Sequence, residues 1–215
     1  MGRLILALFF MILFTSCALK KKSATDIEFR IVDRTIKEDL PVTLKISNKT
    51  RTNYYFPVIT SLNSEKWRYM LSADENRFFF LHPICFDFKE NERYWSSDNC
   101  FAEHKVDSEL VLLNQLWEEK KQKIEPKDLI LIKSGQSVNI SVPISAALKI
   151  TENCSWELQK DRGEKCLKLA INYFAKNEEV VNKFLNMEVI EALKKMGFEL
   201  YSKEINSNRR RLLLK

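Results

Sequence analysis

A chain of 215 residues with 45% hydrophobic and 30% charged residues has ordinary globular composition and enough length for one well-buried core, which excludes a disordered or fibrous protein. Lys and Arg number 35 against 29 Asp and Glu, a net charge of +6 spread along the chain, without the basic stripe and interleaved aromatics that a nucleic-acid partner needs. Four glycines leave no loop to cradle phosphates, and two histidines leave no motif for Ser-His-Asp or Cys-His catalysis.

The chain opens on Arg3 followed by an apolar run from Leu4 to Phe14. A membrane-spanning helix needs about 20 such residues, so this run has the length of a signal-peptide core instead. Thr15 and Ser16 are the small residues a signal peptidase accepts before the cut. The sequence Phe14-Thr15-Ser16-Cys17 resembles the lipobox of bacterial prolipoproteins, with Phe14 where leucine is usual. The resemblance implies cleavage before Cys17 and acyl chains on that cysteine. It also implies the outer membrane where the host has one, since Ala18 stands where an aspartate would retain an enteric lipoprotein at the inner membrane. Lys20, Lys21 and Lys22 then either lie close to the headgroups, where a basic side chain adds about 1 kcal/mol, or form a solvated spacer. An ordinary signal cut near Ala18 or Ala24 is the alternative.

From Asp26 the pattern is that of a β protein. Ile27, Phe29 and Ile31 alternate with Glu28 and Arg30, the period of a half-buried strand, and a charged turn from Arg34 to Asp39 leads to a second strand over 40–46. Asn48-Lys49-Thr50 turns the chain into a strand over 54–59, as a hairpin or a sandwich corner. A further hairpin is predicted over 67–71 and 77–81, with Phe78, Phe79 and Phe80 as core. The segment 87–99, with Tyr94 and Trp95 at its middle, reads as a loop, and its aromatics are the candidates for recognition. It also holds Asp87, Glu90, Glu92 and Asp98, the acids on which a carboxylate-based hydrolase would have to draw.

Asp107 or Ser108 caps a predicted helix over 109–122, whose Leu110, Leu113, Leu116 and Trp117 recur at helical spacing. Two strands follow, 129–132 and 138–142, joined through Gly135 in the manner of many small bacterial immunoglobulin-like domains. A strand over 167–173 comes next. Asn177 caps a predicted helix running to Met196 and ended by Gly197, with Val181, Leu185, Val189 and Leu193 on one stripe beside Phe184. Residues 198–205 and 209–214 close the chain as a last hairpin. Asn48, Asn139 and Asn153 occur in Asn-x-Ser/Thr sequences, which a bacterial host would not read.

With Cys17 set aside, Cys85, Cys100, Cys154 and Cys166 make an even set in an exported chain, so two disulfides are expected. Four cysteines allow three pairings, and proximity favours Cys85 with Cys100 and Cys154 with Cys166. A zinc site competes for the first pair, because His82, Cys85, Cys100 and His104 supply two imidazoles and two thiolates.

The expectation is therefore a signal peptide over 1–16, a lipid-anchored linker over 17–25 and a single β-rich domain over 26–215. Its fold is mainly β, an antiparallel, immunoglobulin-like β-sandwich with two α-helices. Its function is that of a non-catalytic binding or assembly module of the cell envelope, lipid-anchored at Cys17, meeting a protein or glycan partner and no nucleic acid. No cofactor and no metal are expected. The alternatives are an envelope hydrolase using carboxylates and the zinc domain.

Overall fold

The structure is a computed structural model that describes residues 27–38, 40–59, 81–86, 89, 92–93, 96–98, 104–144, 147–149, 155–157, 167–174 and 176–213. Strands outweigh helices among them, so the protein is mainly β. In chain order the elements are β1 (Ile27–Ile31), β2 (Thr35–Lys37), β3 (Val42–Asn48), β4 (Asn53–Ile59), β5 (His82–Phe86), β6 (Glu92–Arg93), β7 (Ser96–Asp98) and helix α1 (His104–Lys121). A 3-10 turn (Pro126–Asp128) leads to β8 (Leu129–Ile132), β9 (Ser137–Val142), β10 (Ala147–Lys149), β11 (Ser155–Glu157) and β12 (Lys168–Tyr173). Helices α2 (Glu178–Phe184) and α3 (Met187–Lys195) follow, then β13 (Phe198–Leu200), β14 (Ile205–Asn206) and β15 (Arg210–Leu213).

Two stretches of chain organise the packing. β3 pairs antiparallel with β9 from Val42 opposite Val142 to Ser47 opposite Ser137. A few residues on, β4 pairs antiparallel with β8, Tyr54 opposite Ile132. The same two segments therefore run side by side through both ladders, bent over at a corner made by residues 48–53 and 133–136. On one side β1 joins β3 to complete a three-stranded sheet; on the other β13 joins β4 in parallel. The largest sheet runs β2-β15-β12-β5-β6, with β14 beside β12. A short sheet, β10-β11-β7, completes the set.

Alternation decides what each sheet buries. β1 turns Ile27, Phe29 and Ile31 inward and Arg30 outward, and β3 does the same with Val42, Leu44 and Ile46 against Lys45. These six meet Leu169, Ile171 and Tyr173 of β12, Ile36 of β2, Cys85 of β5 and Leu212 of β15 in one core, which also takes Phe56, Ile130 and Ile132. Each such side chain contributes about 1.5–3 kcal/mol on burial. Phe56 is the hub of its aromatic part, 5.1 Å from the rings of Tyr173 and Tyr201 and 5.7 Å from Phe29. The opposite face of β4 and β8 carries Tyr55, Ile59 and Leu129 into a second core with Trp117 of α1 and Val181, Phe184, Leu185, Val189 and Leu193 from the helical segment. β4 is thus buried on both faces, which explains its nearly continuous apolar sequence.

Several elements differ from the sequence expectation. The charged turn over 34–39 contains β2, because Ile36 is completely buried where β2 lies parallel to β15. The end of the chain is no hairpin: β13, β14 and β15 go to β4, β12 and the β12–β2 gap respectively. Neither do β8 and β9 pair with one another; the Gly135 turn, at φ 72°, is the outer half of the corner. The long helix is two helices, since Asn186 accepts the Glu188 N–H at 3.1 Å and so caps α3 as Asn177 caps α2. Among the described residues three helices stand where two were expected, and α1 begins earlier, at His104. The hairpin predicted over 67–81 lies outside the described residues apart from buried Leu81.

Candidate functional site

The corner builds a concavity of about 310 Å³ on the outer face of the β1-β3-β9 sheet. Its floor follows from register. Glu28 lies opposite Ser47 and Ser47 opposite Ser137; one step along, Arg30 lies opposite Lys45. Residues directly opposite one another project from the same face, so these side chains stand in two adjacent rows. The end wall is the corner itself, with Lys49 on one side and Gly135 and Gln136 on the other.

The corner is held rigidly. Asn48 is 2% exposed. Its Nδ2 donates to the Thr52 carbonyl at 2.7 Å and to the Ile132 carbonyl at 3.4 Å, and its Oδ1 accepts from the Thr50 N–H at 3.0 Å and the Thr50 hydroxyl at 2.8 Å. The Asn48 N–H donates to the Gln136 carbonyl at 2.8 Å. Across the bend, Ser134 Oγ donates to the Thr50 carbonyl at 2.6 Å and the Ser134 N–H to Asn53 Oδ1 at 2.9 Å. The buried amide therefore serves the turn, and the Asn-x-Thr sequence at Asn48 has no free nitrogen to modify.

Within the concavity the charges are unequal. Lys49 Nζ donates to Glu28 Oε2 at 2.6 Å, while Ser137 Oγ donates to Ser47 Oγ at 2.9 Å. The Lys49 hydrogen bond, aided by the fields of Lys49, Arg30 and Lys45, holds the Glu28 carboxyl below its ordinary range. Glu28 is the only acid in β1, β3 or β9, so three cations share one carboxylate. Arg30 and Lys45, directly opposite and alike in charge, repel one another.

The residues singled out by sequence fall elsewhere. His82 and Cys85 both lie in β5, and a strand sends residues three apart to opposite faces. Cys85 enters the main core at 2% exposure, opposite Leu169. His82 lies opposite Asn172, its ring 5.2 Å from that of Phe174. His104 is the first residue of α1, and no group of three or more His, Cys, Asp or Glu is placed to hold a metal among the described residues. Cys17, Cys100, Cys154 and Cys166 lie outside the described residues, as do Tyr94, Trp95, Asp87 and Glu90. The segment read as a loop over 87–99 holds β6 and β7, which carry Glu92 and Asp98. No helix among the described residues is long and apolar enough to cross a membrane.

Fold and site together define a mainly β protein with a rigid, basic concavity at a strand corner. No family model, curated protein or solved structure matches the chain.

Proposed function

We propose that the protein is an exported lipoprotein of the cell envelope, anchored through acyl chains on Cys17, whose β-rich domain acts as a non-catalytic binding or assembly module for a protein or glycan. The observation that carries the binding reading is the concavity at the corner, where cationic, amide and hydroxyl side chains converge on one rigid wall. Such a surface recognises a polar ligand and contains none of the paired acids that glycoside hydrolysis requires. The anchor reading rests on the Phe14-Thr15-Ser16-Cys17 sequence behind its apolar run. With Cys17 as the attachment point, Ile27 follows within ten residues, a tether of at most about 36 Å when fully extended. The domain then works close to the membrane, with the outer membrane favoured in a host that has one.

The proposal includes a sandwich arrangement of immunoglobulin-like type, supported by the single core between the inner faces of the β1-β3-β9 and β2-β15-β12-β5-β6 sheets. It also includes two disulfides among Cys85, Cys100, Cys154 and Cys166. Cys85 supports this as a disulfide-bonded residue, and its departure from the face of β5 that carries His82 counts against shared zinc ligation.

Intact mass of the membrane fraction, taken non-reduced with and without an alkylating reagent, tests these claims together. Acyl mass on Cys17 with no alkylation elsewhere is expected. A mature protein without acyl mass would overturn the anchor, and two thiols released only by a chelator would overturn the disulfide at Cys85.

A further inference from the structure

We infer that the concavity between β1, β3 and the corner binds the phosphate monoester group of an anionic ligand. The inference rests on the reading of this concavity as the binding surface and gives its ligand a chemical class. Three features of the site converge on that class. The first is charge. Arg30, Lys45 and Lys49 face one carboxylate, that of Glu28, which leaves two positive charges on one wall. A phosphate monoester carries about −1.5 to −2 at neutral pH, with its second pKa near 6, and neutralises that excess.

The second feature is the like-charged pair. Arg30 and Lys45 stand directly opposite across the β1–β3 ladder, an arrangement that the field of Glu28 offsets in part and that an anion between them would relieve further. Glu28 does not fill that role as a hydrogen-bond partner, because its close contact is with Lys49. A tetrahedral oxyanion presents several acceptor oxygens at once, so the Arg30 fork and the Lys45 ammonium can each take one. The third feature is the neutral part of the wall. Ser47 and Ser137 are within hydrogen-bond distance of each other at the foot of the two rows, and their hydroxyls can turn to donate to a further oxygen. The concavity is larger than phosphate alone needs, at about 310 Å³, and leaves space for the molecule that bears it.

The test is equilibrium dialysis of the mature, disulfide-intact chain with glucose 6-phosphate, glucose as the uncharged control, and chloride to match ionic strength. Saturable binding of the phosphate ester alone is expected. It should weaken by about tenfold or more in Arg30→Gln and in Lys45→Gln, as the loss of a charge-assisted hydrogen bond implies. Both residues are exposed, and melting curves of the variants should match that of the native chain. Glu28→Gln removes the competing carboxylate and should tighten binding several-fold, a gain that misfolding cannot mimic. Binding should also fall as the pH drops below about 6, where the ester loses its second charge.

Equal binding of glucose and its phosphate, or affinities unchanged in Arg30→Gln and Lys45→Gln, would overturn the inference. A response to phosphatidylglycerol vesicles with none to the sugar phosphate would overturn the monoester and assign the surface to lipid headgroups. Intact mass reads the anchor separately, so the loss of either conclusion leaves the other standing.

Discussion

At the scale of single residues, Asn48 does the most with one side chain. It lies at the end of β3, where the chain leaves one sheet for the next, and its amide binds polar groups of Thr50, Thr52 and Ile132. Asn48→Ala should cost about 2–4 kcal/mol in urea unfolding, since four bonds are lost at about 0.5–1 kcal/mol each, while the Thr50 hydroxyl keeps its bond to the Thr52 carbonyl. Asn48→Asp should be worse, because a carboxylate would face the Thr52 and Ile132 carbonyls in place of a donor. Equal stability of Asn48→Asp and the native chain would mean that the corner is not held in this way.

Two tyrosines set the alkaline limit. Burial, with the Glu178 carboxylate adding to it, pushes the Tyr55 hydroxyl up to about 12, and burial pushes Tyr173 well above its ordinary value. Tyr173 also donates to the Tyr201 carbonyl at 2.7 Å, a bond that only its neutral form makes. A folded-state pKa above the unfolded value of about 10 stabilises the fold fully below pH 10 and loses that contribution as pH rises towards 12. The urea midpoint should therefore fall steeply between pH 10 and 12. In Tyr173→Phe the fall should be shallower, and an unchanged slope would remove Tyr173 from the account.

At the scale of elements, alternation made β1, β3 and β12 legible in the sequence, while the way they pair was not. Ile27, Phe29 and Ile31 declare a buried face from three positions, but only the folded chain places β1 beside β3 and so Arg30 beside Lys45. The candidate site was invisible for that reason: each of its cations, taken alone, is an ordinary outward residue of a half-buried strand. β2 was missed because a single apolar residue, Ile36, among Arg34, Lys37 and Glu38 gives no period, and its partner β15 lies at the far end of the chain. Ile36→Ala should cost about 2–5 kcal/mol, the range for a fully buried aliphatic side chain, and a loss under 1 kcal/mol would place Ile36 in a solvated turn after all. The break between α2 and α3 had a visible signal in Asn186, since the stripe of Val181, Leu185, Val189 and Leu193 continues through it. Periodicity alone ignores a cap, and here the cap decides. Asn186→Ala should cost about 1 kcal/mol.

At the scale of the molecule, β4 couples two cores that would otherwise be independent. Phe56 and Val58 point into the main core, and Tyr55 and Ile59 into the helical one, so neither core can open without stripping a face from the same strand. Unfolding should then be a single transition. The sensitive experiment uses Trp117, which is buried in the helical core, as the one remaining tryptophan after the other three are replaced by Phe. Phe56→Ala, on the opposite face of β4, should lower the stability reported by Trp117 by about 3–5 kcal/mol, the same as that reported by far-ultraviolet circular dichroism. Leu193→Ala, in the helical core, should likewise shift both signals together. If Phe56→Ala shifted the circular dichroism transition and left the Trp117 transition in place, the two cores would be separate folding units and β4 would belong to only one of them. Coincidence of the two signals has a consequence for the concavity, because its end wall is the bend between β3 and β4: the site would then be as stable as the whole fold and present its charges without prior ordering.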